Sequence, residues 1–421
     1  MYAVIITWLI VIFGTINIFR IGFFMIGSDI YSVIEAKKRK KYNLRRKHYP
    51  SFSVIIPAHN EEGTIINCVK SVEASDYPKN KLEIIVVDDG STDGTLKRLR
   101  DYKRLHSNSQ IHIVTQANAG KANALNNAMA NHATGKLIMC LDADSSIAPN
   151  AISEAAYYFN DKKVMAMAAN VKIRPTRSIL NFAQQYEYLI GYQLKKALTA
   201  YNIEYIIGGI GSVFRRSALE RVGFYDTNTF TEDIDLTMKM LQNGGKNWKI
   251  IYGASVIAYT ESVMDLKGLI TQRYRWKFGR MQTFFKNKNL FFNSGKEHNR
   301  VLTWVYLPFV VYSDISFIFE PLMVSYLFYI IFRYADFITL LSSIIVVCGY
   351  IMINVLMEST IPWKRRIEMA LLSPSMYALF YLLNIVEYIV VIKGLLNLFR
   401  VKKSLDAGVS TWQHVERPAI Y

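Results

Sequence analysis

Long apolar runs stand at both ends of this chain and not in its middle, and that arrangement decides most of what the chain can fold into. "MYAVIITWLIVIFGTINIF" opens the sequence, and residues 301–332, 337–357 and 371–391 are similarly apolar. Runs of roughly 18 residues or more with few charges match the hydrocarbon thickness of a bilayer, whereas the stretch between them shows only strand-length and amphipathic patterns. The expected layout is an N-terminal transmembrane helix over 1–28, a basic linker over 29–49, a folded domain over 50–265, an amphipathic interfacial segment over 266–300, transmembrane helices over 301–395 and a tail over 396–421.

The formal charge of +17 raises nucleic acid as a partner, and its placement argues against it. "AKKRKKYNLRRKHYP" puts Lys37, Lys38, Arg39, Lys40, Lys41, Arg45, Arg46 and Lys47 directly after the first apolar run. That is the positive-inside pattern: it places the chain from about Lys37 in the cytoplasm and Met1 outside, and no nucleic-acid motif accompanies it. The first run lacks a basic n-region and a small-residue cleavage site, so it reads as an anchor in the plasma membrane. Cys68, Cys140 and Cys348 lie far apart, which suggests neither disulfides nor zinc.

The middle alternates strands and helices. "FSVIIP", "LEIIVVDDGS", "IHIV" and "KLIMCL" read as strands, and the segments between them have helical patterns. Near-continuous β-branched strands between helices argue for an α/β domain with a parallel-rich sheet buried on both faces. Ligands of such sheets bind beyond the carboxyl ends of the strands, where this chain places "PAHNE" (Pro57, His59, Glu61), Asp88 and Asp89, and Asp142 and Asp144. Taken singly, these residues also suit turns and helix caps, and "DDGSTDGT" contains both.

In an extended segment, Asp142 and Asp144 would face the same way, and like charges that close call for a cation. Oxygen ligands without clustered His or Cys point to Mg²⁺ or Mn²⁺, with a diphosphate completing the shell. No G-x-G-x-x-G follows the first strand, "GGIGS" at 208–212 comes too late to serve as one, and no P-loop is present. In "FTEDIDL", Thr231 reads as a helix N-cap with Glu232 and Asp233 favouring the helix dipole, and an acid held there could also accept a hydroxyl proton. "QRYRW" offers Arg273 and Arg275 for a pyrophosphate and Trp276 for a sugar ring; equally, it belongs to a basic amphipathic helix on anionic lipid.

"PAHNE", "VVDDGSTDGT", "NAGKANALNNA", "CLDAD", "TED" and "QRYRW", in this order between apolar segments, resemble the processive family 2 glycosyltransferases, the membrane synthases of poly-N-acetylglucosamine, hyaluronan, chitin and cellulose. "GKANALN", "MCLDAD" and "YDT…TEDI" are most similar to the bacterial poly-β-1,6-N-acetylglucosamine branch. The resemblance implies a GT-A-type fold for 50–265, and a UDP-sugar donor, best matched by UDP-N-acetylglucosamine, added to a growing polysaccharide that is exported through the membrane. It implies that Asp88 or Asp89 holds the uridine with Pro57, His59, Glu61 and Lys121 nearby, and that Asp142 and Asp144 carry the metal and diphosphate. Asp233, with Glu232 beside it, would be the general base, while Gln272, Arg273, Arg275 and Trp276 would close over the nucleotide and seat the acceptor. Partners would then be the donor, the polymer, membrane lipids and a small membrane accessory subunit. The chain departs from the pattern at His59, where a Tyr is commoner, and after Trp276, where "KFGRM" replaces Ala-Gln-Gly.

A two-donor hyaluronan-type synthase, transfer to a polyprenyl phosphate, and a nucleotide-sugar sensor remain as alternatives. Three spans after residue 279 would put the basic tail outside, against the positive-inside pattern. Residues 301–332, interrupted by Pro308, Asp314, Glu320 and Pro321, are therefore expected to split, or one segment to be re-entrant or interfacial.

Overall fold

The computed structural model describes residues 2–42, 49–106, 109–245, 247–335, 337–397, 399–401 and 405. The basic residues Arg45, Arg46 and Lys47 and most of the expected tail lie outside the described residues.

Eight strands form one sheet: β1 (Phe52–Ala58), β2 (Leu82–Asp89), β3 (Ile111–Gln116), β4 (Leu137–Cys140), β5 (Ser146–Ile147), β6 (Val164–Ile173), β7 (Ser212–Arg215) and β8 (Lys249–Thr260), in the order β3-β2-β1-β4-β7-β6-β8-β5. The pairs β1–β2, β2–β3, β1–β4 and β6–β8 are parallel; β7 runs antiparallel to both β4 and β6. The continuous apolar runs follow from burial on both faces. One face packs the helices Ile65–Glu73, Thr95–Leu105 and Ala151–Tyr158; the other packs Lys121–Asn127, Arg216–Val222 and Glu232–Gly244.

Pro57 does not stop β1, which runs to Ala58. The register with β4 ends at Ile55–Cys140 while that with β2 continues through Pro57, so the proline forfeits no partner on the β4 side. Successive strands move from β1 to β2 and β3 on one side, and then β4 appears on the other. That reversal opens a crevice beyond the ends of β1 and β4.

The N-terminal helix runs unbroken from Tyr2 to Tyr42, 41 residues and about 60 Å, twice what a bilayer core requires. The expected linker is therefore helical through Tyr42. Its second half lies on the folded domain: Ser28 Oγ donates to Gln193 Oε1 at 2.9 Å, Tyr31 Oη to the Tyr252 carbonyl at 2.9 Å, and Arg39 pairs with Glu154 at 2.6 Å.

Among the described residues, four helical stretches are long and apolar enough to cross a membrane: Gly14–Tyr42, Val301–Tyr334, Leu340–Met357 and Trp363–Leu396. By that measure the chain is a membrane protein. Val301–Tyr334 stays one helical path, tightened at Phe317–Phe319 just before Glu320 and Pro321. Trp363–Leu396 touches the folded domain or its attached helix at both ends, through Arg365 on Gln185 at 3.3 Å and Lys393 over the Tyr274 ring at 4.7 Å.

Candidate active site

The antiparallel pairing of β7 with β4 sets the Cys140–Ser212 register, so the exit from β4 toward Asp142 lies beside the loop Gly208–Gly211 that enters β7. Asp142 and Asp144 are not in extended backbone, as the sequence suggested. The Ser145 N–H donates to the Asp142 carbonyl at 3.0 Å and closes a turn, which still leaves both carboxylates lining the same cavity.

Lys121 opens its helix directly after Gly120, whose φ of +90° favours glycine. Its Nζ lies 2.6 Å from Asp142 Oδ1 and 3.7 Å from Glu232 Oε1. Gly209 reports how tightly these groups converge: a Cβ there would lie 3.0 Å from Lys121 Nζ, 3.8 Å from Asp142 Oδ1 and 3.9 Å from Asp233 Oδ2. Burial, then the neighbouring Glu232, push the Asp233 carboxyl up to about 6, against the opposing pull of Lys121 and Arg275. Burial would by itself lower Lys121; Asp142 and Glu232 outweigh it and hold the ammonium above the ordinary lysine range.

Two loops are pinned for this purpose. The buried Asp89 carboxylate accepts the Ala119 and Gly120 N–H groups at 3.0 and 2.8 Å and Gln116 Nε2 at 2.7 Å. Gly90, with φ +71°, lets the two loops meet, since a Cβ there would come within 2.7 Å of the Asn118 nitrogen. Asp89 therefore organises the approach to Lys121 and does not line the cavity. Asp88 is buried, with Oδ1 lacking a hydrogen-bond partner among the described residues. Asn126 exchanges hydrogen bonds with the Tyr225 backbone at 2.8 and 2.9 Å, fixing the segment that leads to Glu232. Thr231 occupies the N-cap position without a side-chain capping bond; it packs instead against Gly279 and Thr283. The turn reading of "DDGSTDGT" holds for Asp93, whose carboxylate accepts the Thr95 and Glu62 N–H groups.

Of the residues singled out from the sequence, Pro57, Glu61, Lys121, Asp142, Asp144, Glu232, Asp233, Gln272, Arg273, Arg275 and Trp276 all line one cavity of about 870 Å³. His59 and Asp88 do not; His59 Nδ1 lies 2.9 Å from the Asp89 carbonyl, at the loop junction. Arg273 departs from its expected role on a pyrophosphate. It pairs with Glu187 at 2.5 Å and Glu387 at 3.7 Å, and stacks over Trp276 at 4.8 Å. Gly209, Glu187 and Arg20 also line the cavity and were missed, although the glycine-rich "GGIGS" was a visible signal.

Asp142 and Asp144 are the carboxylates that could hold a metal. Among the described residues no three His, Cys, Asp or Glu side chains form a complete cage, so the protein would supply two oxygen donors and leave the other positions to water and a diphosphate.

Residues 53–223 match the family model for glycosyl transferase family 2. A poly-beta-1,6-N-acetyl-D-glucosamine synthase of Staphylococcus epidermidis is 27% identical over 422 residues, covering 95% of this chain and 96% of that protein. One of Staphylococcus aureus is 34% identical over 247 residues, covering 57% of each chain. A solved mannosyltransferase of Pyrobaculum calidifontis, in complex with GDP-Man and Mn²⁺, is similar at 26% identity and a TM-score of 0.49, covering 62% of this chain and 76% of that one. With carboxylates gathered at the strand exits and that match over its first seven strands, residues 53–223 of this chain form a glycosyl transferase family 2 domain.

Proposed function

We propose that the chain is a processive, inverting β-glycosyltransferase that polymerises UDP-N-acetylglucosamine on the cytoplasmic face and passes the product across the membrane. The observation that carries this reading is the single cavity. One end holds Lys121, Asp142 and Asp233 around Gly209, and the other holds Trp276 together with Arg20 and Glu387 from the N- and C-terminal apolar helices. The synthase names of the two staphylococcal relatives support the choice of sugar.

In this reading Asp88, at the end of β2, meets the uridine, since Asp89 is committed to the loop before Lys121. An acceptor hydroxyl gives its proton to Asp233 and bonds to the anomeric carbon as the bond to the diphosphate breaks, so an α-linked donor yields a β-linked product. Lys121 and Arg275 offset charge on the departing UDP. Asp142 and Asp144 would hold a divalent ion, Mg²⁺ or Mn²⁺, which when bound supplies Lewis-acid charge to the diphosphate. Trp276 seats the acceptor sugar. That Trp363–Leu396 meets the transferase side at both ends supports an interfacial path for it over a spanning one.

The test is purified protein in lipid nanodiscs given UDP-N-acetylglucosamine alone, UDP-glucuronate alone, and both. Polymer from the first condition, lost on chelation and restored by Mg²⁺ or Mn²⁺, supports the proposal. A strict need for both donors would favour a hyaluronan-type synthase, and a single sugar on added polyprenyl phosphate would favour the non-processive alternative.

A further inference from the structure

We propose that Glu187 and Glu387 are positioning residues which hold Arg273, and through it the Trp276 ring, at the acceptor end of the cavity. The inference rests on the reading of Trp276 as the acceptor platform.

Arg273 and Trp276 stand three residues apart on the helix Leu266–Lys286, on neighbouring positions of one face. The guanidinium carbon lies 4.8 Å from the centre of the indole. An arginine free at its tip would sample many rotamers and give such a ring no fixed backing. Here Nη2 meets Glu187, on the helix Ile179–Ala200, at 2.5 Å, and Nε meets Glu387, on the helix Met376–Leu396, at 3.7 Å. A guanidinium hydrogen-bonded to one carboxylate and attracted by a second, from two helices, is confined to few orientations, and in this one it backs the indole.

Glu387 is itself anchored, 3.4 Å from Lys277, which reaches Asp314 at 2.8 Å. Both glutamates line the cavity, yet neither is among the acids gathered around Gly209. Through them, one transferase helix and the last long apolar helix jointly set the orientation of Trp276.

The experiment separates acceptor use from donor chemistry. UDP release from UDP-N-acetylglucosamine is measured without acceptor, where water takes the sugar, and then against increasing concentrations of a β-linked N-acetylglucosamine oligomer. For Glu187→Gln and Glu387→Gln, the KM for the oligomer should rise about tenfold while acceptor-free UDP release stays within about twofold. Glu187→Asp, which keeps the charge, should give an intermediate KM. It also carries the test if the glutamine variants fail to elute as folded protein on gel filtration. An unchanged oligomer KM in the glutamate variants, alongside a raised KM in Trp276→Ala, overturns the inference and leaves the acceptor reading standing. An unchanged KM in Trp276→Ala removes the acceptor reading itself. A parallel fall of both activities in Glu187→Gln and Glu187→Asp would mean general structural damage, and would also overturn the inference.

Discussion

The two ends of the cavity are both crowded with charge, and they are charged differently. At the donor end Asp142, Asp144, Glu232 and Asp233 line the cavity with the cations Lys121 and Arg275, and Lys121, Asp142 and Asp233 come closest to Gly209. Toward the apolar helices three cations, Arg273, Lys277 and Arg280, face three acids, Glu187, Asp314 and Glu387. In the first set the acids outnumber the cations, and burial within it drives Asp233 up to about 6. In the second set every member has an opposite charge within 4 Å. An unbalanced cluster is an unfinished site that a ligand completes, whereas a balanced one is a joint that fixes positions.

The largest expected break in this contrast is Asp233→Asn. Polymer formation should fall about 10³-fold as the proton acceptor is lost. The melting temperature at neutral pH should hold or rise, because the substitution removes a buried charge crowded by Glu232. A lowered melting temperature would mean that the donor end is itself a structural joint.

Next is Asp314→Asn. Asp314 is 2.8 Å from Lys277 and also pairs with Arg280, so its neutralisation takes the paired carboxylate from Arg280 and leaves Lys277 with Glu387 alone, and should cost about 3 kcal/mol of stability, read by thermal unfolding in detergent. No loss of stability would remove the balanced half of the comparison.

Lys121→Met sharpens the donor end. In the proposed mechanism Asp233 acts ionised, so the wild-type rate should fall as pH drops through about 6. Lys121 favours that ionised form; without it the acid limb of the rate profile should move upward, by about one pH unit. A downward move would contradict the charge assignment.

Gly209→Ala should do least. The new Cβ would meet the flexible end of Lys121 at 3.0 Å, and Gly209 has no positive φ, so a rate loss of about two- to fivefold with little change in stability is expected.

Much of this was legible before any coordinates. Continuous apolar strands ending in acid marked β1, β2 and β4 and their ligand edge, and eleven of the singled-out residues do line one cavity. What misled was always a question of what sits across from a residue. Asp88 and Asp89 are adjacent, yet the latter is filled by the Gln116 side chain at the end of β3 and two backbone N–H groups of the loop that follows it. Arg273 and Arg275 share a motif, yet the first turns to glutamates 86 and 114 residues away. "GGIGS" was set aside on its position in the chain, and the antiparallel β7 carries it back beside Asp142.

The sequence by itself determined the alternation of strands and helices, the apolar segments that flank them, and the acids at the strand exits. Each of these depends on local periodicity and on the neighbours a residue has along the chain. Only the tertiary structure decided which carboxylates are spent on backbone N–H groups, which face an unmatched charge, and which arginine is gripped. Those outcomes depend on electrostatic partners brought within about 4 Å by sheet order and helix packing, and no run of adjacent residues records them.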